Sequence, residues 1–311
     1  MDSPGVRSSR SLSLGLVALV ALVALFATGA CSSYINQRAA DSTYQILVQS
    51  QVAVRRLADV ELARDALPGG VVQLAAFALA YPDHRGFAEL YAESACQYPI
   101  AFVFDDWEAA SFAGDTTKAA RLTDRLRGLL ASCVDANLAL LAPAWRHART
   151  ANSWQDQLAS ATRDDAGALR WIATADAIAI ALAPMAELAK VPATLATLRK
   201  VTALAPGAHD ADAEILLGTL EAQLGALGGG GDGSARFELA RKTLGAGALI
   251  ADVMYARAVL VAHRDRAGFT AALERVIGAQ LATWPERRLA NELAVTKAKR
   301  YLAAVDTLIA R

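Results

Sequence analysis

The sequence predicts an all-α fold built from antiparallel helix pairs stacked on one another. Three observations point there. Strand signals are nearly absent, since no long stretch alternates polar and apolar residues between turn residues. Alanine and leucine, both strong helix formers, dominate the chain. Apolar residues recur at three- and four-residue spacing, and proline and glycine punctuate them at short intervals.

The elements follow in chain order. Residues 1–10 carry Arg7 and Arg10, an apolar run extends from Leu12 to Ala27, and Thr28-Gly29-Ala30 leads to Cys31. A basic start, an apolar stretch and small residues before a cut site predict a signal peptide over 1–30. Cys31 after Gly29-Ala30 is similar to a bacterial lipobox, whose cysteine is acylated, although Thr28 stands where a branched apolar residue is more usual. The rival reading is an uncleaved membrane helix over Leu12–Ala30, about the length a span needs. Both readings put the body outside the cytoplasm, with the two arginines on the inner side. Ser32, in place of an aspartate, favours the outer membrane. Removing 1–30 leaves 29 basic and 30 acidic residues, so surface charge would not hold the body to an anionic bilayer, and the acyl chains would.

Residues 31–311 read as a single helical domain of about a dozen helices. Pro68-Gly69-Gly70, Pro82-Asp83, Gly114-Asp115, Pro143, Asp164-Asp165, Pro184, Pro192, Pro206-Gly207, the glycines 228–231 and Pro285 mark the turns. Asp115 and Asp164 are the expected helix N-caps. Ile100–Phe104 is the best strand candidate, but it continues a helical pattern from Phe87 through Leu90, Tyr91, Ser94 and Tyr98, which predicts a buried helix end. Leu122, Leu126, Leu129, Leu130, Cys133, Asn137, Leu140 and Leu141 form one helical stripe, and Leu195, Leu198, Val201 and Thr202 another.

An internal echo sharpens the architecture. FALAYPDH ends at His84 and TALAPGAH at His209, each a helix running into Ala-Leu-Ala, a proline and a new helix. That corner belongs to tetratricopeptide-like α-solenoids. Leu217-Gly218 sits where such repeats place Leu-Gly, the glycine letting a neighbouring helix approach. Glu214 and Glu221 replace the usual Trp and Tyr.

The whole chain resembles one family, the TRAP-transporter T-component lipoproteins (TatT). Residues 63–110 match its opening segment, with a proline-started helix, a Pro-Asp corner and a long helix ending in aromatics. Residues 170–208 match its Trp-bearing helix and the helix closing at Ala-Pro. Residues 228–277 match its glycine loop, Tyr-bearing helix and Asp-Arg turn, and 287–302 its closing helix. The order and spacing of the blocks carry the resemblance. It departs in the longer glycine run at 228–231 and in apolar residues after Val103. The resemblance implies a bacterial envelope protein, facing the periplasm, that partners a TRAP-type solute-binding protein and holds a small hydrophobic ligand.

No catalytic constellation stands out. His84, His147, His209 and His263 lack metal-ligand spacing, and His84 and His209 read as exposed turn residues. Residues 228–233 satisfy Gly-x-Gly-x-x-Gly, but a helical stretch precedes them where a dinucleotide site needs a strand, so they predict a hairpin loop. Asp105-Asp106 and Asp164-Asp165 are neighbours that point apart on a helix and fit helix starts better than acid/base work. With 31 basic and 31 acidic residues and 6% aromatics, nothing favours nucleic acid. No enzyme activity, metal or cofactor is expected. Cys96 and Cys133 lie at equal distances from the Gly114-Asp115 turn and so face each other across a hairpin. A disulfide and two buried thiols are both compatible with that. Tyr98, Phe102, Trp107, Trp171 and Tyr255 are core residues by default; the resemblance makes them candidates for a ligand pocket. The alternative function is an envelope scaffold or assembly protein using helix-face contacts with other proteins. A homo-oligomer is compatible with either.

Overall fold

The computed structural model describes residues 36–207, 211–229 and 231–310. The signal-peptide and Cys31 readings, and the one on His209, lie outside the described residues. The chain divides into two units, Met1–Ser50 and Gln51–Arg311. In the first unit, residues 36–50 are helical. The second unit is described below by itself.

All described elements are helices, packed as sequential antiparallel pairs, and the described residues contain no strand. Helix α1, Val60–Ala80, starts where the Asp59 carboxylate accepts from the Leu62 N–H at 3.0 Å. It runs through Pro68-Gly69-Gly70, which the sequence marks as a turn. Proline removes one helical hydrogen bond. Burial of Ala63 and Leu74, and stacking of Phe77 on Phe87 at 5.3 Å, hold both halves against the next helix and outweigh it. Helix α2, Arg85–Tyr98, is capped by His84, whose Nδ1 accepts from the Phe87 N–H at 3.4 Å. His84 is thus half-buried, with its ring 4.4 Å from that of Phe87, and is not the exposed turn residue expected.

The chain does not end its helix at Phe104. A π-helical turn, Pro99–Val103, leads directly into α3, Phe104–Phe112. Pro99 lacks an N–H, so the ladder loses a donor there, and the Phe104 N–H reaches five residues back to the Pro99 carbonyl. Gly114 then adopts φ 71°, and Asp115 caps α4, Thr116–Leu140, by accepting from the Lys118 N–H at 2.9 Å.

Short helices α5, Pro143–Thr150, and α6, Trp154–Ala159, follow. Their tryptophans 145 and 154 meet edge to face at 5.2 Å, and Trp154 Nε1 donates to Thr197 Oγ1 at 2.8 Å. Asp164 is not the cap of the next helix. Thr162 and Asp165 form a capping box instead, because only the residue three beyond the cap can reach back to the cap N–H. Helices α7, Ala166–Leu182, α8, Pro184–Glu187, α9, Val191–Leu204, and α10, Asp212–Ala226, continue the stack. Pro143 and Pro184 each occupy the first helical position, where no N–H is needed.

The described part of the glycine run, residues 228, 229 and 231, is a hairpin loop. It returns the chain to α11, Ser234–Leu244, and the packing shows why glycine is needed. A Cβ on Gly218 would lie 3.0 Å from the Arg236 Cβ, and one on Gly233, at φ 73°, would lie 2.1 Å from the Gly218 carbonyl oxygen. Helix α12, Leu249–Tyr255, passes through a second π turn, Ala256–Leu260. Helices α13, Arg266–Ile277, α14, Arg288–Ala303, and α15, Val305–Leu308, complete the unit.

The backbone holds a closer internal repeat than the Ala-Leu-Ala-Pro echo. The bonds Ala113→Ala109, Gly114→Ser111, Asp115→Ala110, Thr116→Gly114 and Ala119→Asp115 recur 150 residues later as His263→Val259, Arg264→Val261, Asp265→Leu260, Arg266→Arg264 and Phe269→Asp265. The left-handed residue is glycine in the first copy but Arg264, exposed and at φ 55°, in the second. A side chain in that conformation costs about 1 kcal/mol. Arg264→Gly should therefore raise stability by about 1 kcal/mol, read as a rise in the urea midpoint at unchanged slope. An unchanged or lower midpoint would show that no strain resides at this turn.

The largest core cluster gathers α2–α7, α9 and α10 around Leu126, Leu169, Leu198 and Leu217. A second, around Phe269, Leu273 and Tyr301, serves α12–α15.

Candidate functional site

Three arrangements combine charge or aromatic surface with burial. The first sits where the π turn re-aims α3. Asp105 and Glu108, one turn apart on α3, face Lys297 and Arg300 on α14. Lys297 Nζ lies 2.5 Å from Glu108 and 3.1 Å from Asp105. Arg300 bonds Glu108 at 2.8 Å and Asp105 at 2.6 Å. The buried Tyr301 hydroxyl donates to Glu108 Oε1 at 2.6 Å. Burial, followed by the Glu108 charge, pushes the Tyr301 hydroxyl pKa well above the phenolic value, so it stays a donor. Burial opposes the Arg300 charge, but bonding and attraction to Asp105 prevail and raise its pKa. Asp106 points elsewhere, accepting two bonds from Arg64 Nη1. The Asp105-Asp106 pair is therefore split between two partners, as neighbouring helical positions require. The cluster ties an early helix to a late one across 189 to 195 residues of sequence.

The second arrangement is a cleft of about 350 Å³ between α4, α5, α7 and the α8 turn. Arg127, Leu130, Ala131, Val134 and Asp135 form one face of α4 along it. Opposite lie Ala175, Asp176, Ala179, Glu187, Lys190 and Arg149. Its charges pair among themselves and with nearby groups. Arg149 holds Asp176 in a fork at 2.7 and 3.0 Å, Lys190 bonds Glu187 at 2.8 Å, and Arg146 approaches Asp135 at 3.6 Å. Burial would lower the Arg149 pKa, but the bonds to Asp176 override it and hold the residue charged.

The third joins the start of α10 to α11. Glu214 is buried, with Arg236 at 3.4 Å. Desolvation outweighs the attraction of Arg236 and raises the carboxyl pKa. A carboxyl whose pKa is raised on folding stabilises most below its unfolded value, and that contribution is lost as pH rises through the folded pKa. Wild type should therefore lose stability relative to Glu214→Gln as pH climbs from 4 to 7. Parallel urea midpoints for the two proteins across that range would show that Glu214 contributes no such term.

The aromatic candidates divide among several places. Tyr98 is half-buried, bonded to Arg125 Nη2 at 3.0 Å, with its ring 6.0 Å from Phe102. Phe102 is fully buried under the Arg64 guanidinium, 5.1 Å away. Trp107 is half-buried and stacks on Phe104 at 5.4 Å, so the π turn gathers Tyr98, Phe102, Phe104 and Trp107 into one aromatic stretch. Trp171 lies in the main core beneath Arg170, and Tyr255 packs edge to face on Phe237 at 5.6 Å. None of these five lines the charged cleft. Cys96 and Cys133 are joined as a disulfide, Cα atoms 4.8 Å apart, both fully buried. Asn137 Nδ2 bonds the Cys133 carbonyl at 2.9 Å beside it.

The sequence missed the Asp105–Glu108–Lys297–Arg300–Tyr301 cluster. Its only trace was acids and bases at i, i+3 spacing on two helices, a pattern that surface helices also show.

Comparison with known families decides the assignment. The family model described as TRAP transporter T-component matches residues 57–309. The chain belongs to that family. No curated protein matches it. The match begins just before α1 of this T-component and ends in Ile309, so it takes in every labelled helix, the disulfide, the cleft and the charge cluster. The family is an accessory component of a transporter and is not known as an enzyme. No described helix is long and apolar enough to cross a membrane.

Proposed function

We propose that this T-component is an acylated accessory of a TRAP-type uptake system in the bacterial envelope. Cys31 carries the lipid anchor, the outer membrane is the preferred site, and the helical body faces the periplasm. It docks on the periplasmic solute-binding protein and shelters a small hydrophobic ligand beside the aromatic stretch Tyr98–Trp107. The observation that carries this reading is the family match over 57–309, because it spans the whole stack instead of one repeat. Helix faces supply docking surface without any bond-making chemistry. The half-buried Tyr98 and Trp107 offer apolar faces with polar tips, which suits a ligand of that class.

The test is affinity purification of the full chain from solubilised membranes. A co-purifying exported solute-binding protein is expected, together with a small organic molecule in native mass spectra. A different tight partner with no solute-binding protein would overturn the reading. The mutual pairing of the cleft charges favours a second reading, a scaffold that binds proteins but no ligand. Under it, the solute-binding protein co-purifies and the small molecule does not.

A further inference from the structure

The charges that line the cleft beside α4 fall into two groups. Four of them form one network. Asp176 takes the Arg149 fork, Lys190 lies 3.9 Å from Asp176, and Lys190 bonds Glu187. Two cations there meet two carboxylates, and only spare hydrogen-bonding capacity is left over. The other two, Arg127 and Asp135, both stand on α4 and pair with residues outside the lining. Arg127 bonds Asp124 at 3.2 Å, and Arg146 approaches Asp135 at 3.6 Å, with all four side chains exposed. Exposed pairs of this kind contribute little, so an incoming charge displaces them readily. Arg127 and Asp135 are eight positions apart, a rise of about 12 Å along the helix. Between these two ends the cleft is apolar, with Leu130, Ala131 and Val134 on α4 opposite Ala175 and Ala179 on α7. A cation at one end, a carboxylate at the other and methyl groups between them describe a ligand that carries opposite charges at its two ends. The lining belongs wholly to the second unit and includes neither Tyr98 nor Trp107, so this site is distinct from the aromatic one proposed above.

We propose that the cleft binds a short extended peptide of small apolar residues with both termini free. Its carboxylate meets the Arg127 guanidinium, which suits a planar oxyanion, and its ammonium meets Asp135. An extended residue spans about 3.3–3.6 Å, so roughly three or four residues cover the distance between the two charges. A volume of about 350 Å³ lies at the small end for ligand sites and matches a peptide of that length with methyl-sized side chains. The alanine wall leaves room for those methyl groups. The peptide amides have partners in the inner network. Asp176 and Glu187 can accept further N–H groups, and Arg149 and Lys190 can donate to carbonyls. A longer peptide carries one terminus past its partner. Both terminal ion pairs are exposed, so a dissociation constant of about 0.1–1 mM is expected. A complex that weak is lost during affinity purification, which keeps this site independent of the co-purification test above.

Titration calorimetry of the full chain in mild detergent, with tetraalanine as the probe, tests this. Acetylating its amino terminus or amidating its carboxyl terminus should each weaken binding about fivefold, the effect of one exposed ion pair. A ten-residue Ala-Ser repeat, which cannot place both termini at once, should also bind about fivefold more weakly. So should 8-aminooctanoate, which has the end charges without the amides. Arg127→Gln should bind the free acid and the amide alike while still preferring the free amine. Asp135→Asn should show the reverse, and both should keep the far-ultraviolet circular dichroism of wild type. No binding at about 10 mM tetraalanine, equal binding of its free and capped forms by wild type, a ten-residue repeat or 8-aminooctanoate as tight as tetraalanine, or wild-type preferences retained in both variants would each overturn the proposal.

Discussion

Replacing Glu108 with alanine should destabilise the folded chain by about 3–5 kcal/mol, the cost of removing one member of a buried ion cluster. Glu108 accepts from Lys297, Arg300 and Tyr301 at once, and both sides of the charge pairing are largely covered. Without it, Asp105 alone faces two cations, and the buried Tyr301 hydroxyl loses its acceptor. An unsatisfied buried donor bears its full desolvation cost. The measurement is equilibrium unfolding in urea at neutral pH. Adding Tyr301→Phe to Glu108→Ala should recover part of the loss, because no hydroxyl then remains to satisfy. A loss below 1 kcal/mol would mean that water fills the gap and that the cluster does not hold α14 to α3.

The second large effect belongs to the disulfide. It closes a loop spanning 37 residues between two long antiparallel helices. Restricting an unfolded chain by a loop of that length is worth about 2–4 kcal/mol. Cys96→Ala/Cys133→Ala should therefore lower stability by that amount while leaving the helical content unchanged, since apolar packing and the Arg125–Tyr98 bond still join α2 to α4. Both sulfurs are buried, so reductant should reach them only when the hairpin opens. Wild type unfolded with reductant should match the double variant. Equal midpoints for wild type and variant under oxidising conditions would remove the disulfide from the stability of this fold.

The class of fold was legible because helix propensity and apolar periodicity act over a few neighbouring residues. Asp115 was readable as a cap for the same reason: a short carboxylate three residues before a free N–H needs no outside help. Gly218 was readable because a repeat corner demands close approach, and Arg236 and Phe237 stand where its Cβ would clash. Local rules misjudged Pro68. Its missing hydrogen bond was visible in the sequence, whereas the packing of Phe77 on Phe87 that offsets it was not. His84 was misjudged because a turn histidine carries no sign of the ring it will lie against.

The site was less legible than the fold. Five aromatics were chosen by scarcity, and the structure gathers three of them near one π turn while placing Trp171 and Tyr255 elsewhere. The cleft and the charge cluster are built from residues whose partners are far away in the chain. Arg149 meets Asp176 only after α6 intervenes, and Glu108 meets Lys297 only once the stack has closed.

Local sequence thus determined the helices, most of their ends, the glycine hairpin and the family, since each depends on contacts within a few residues or on the order of such segments. Tertiary structure decided which charges are buried and which aromatics meet. Those outcomes depend on where distant helices come to rest, and a residue's spacing along the chain carries no record of the surface it will meet.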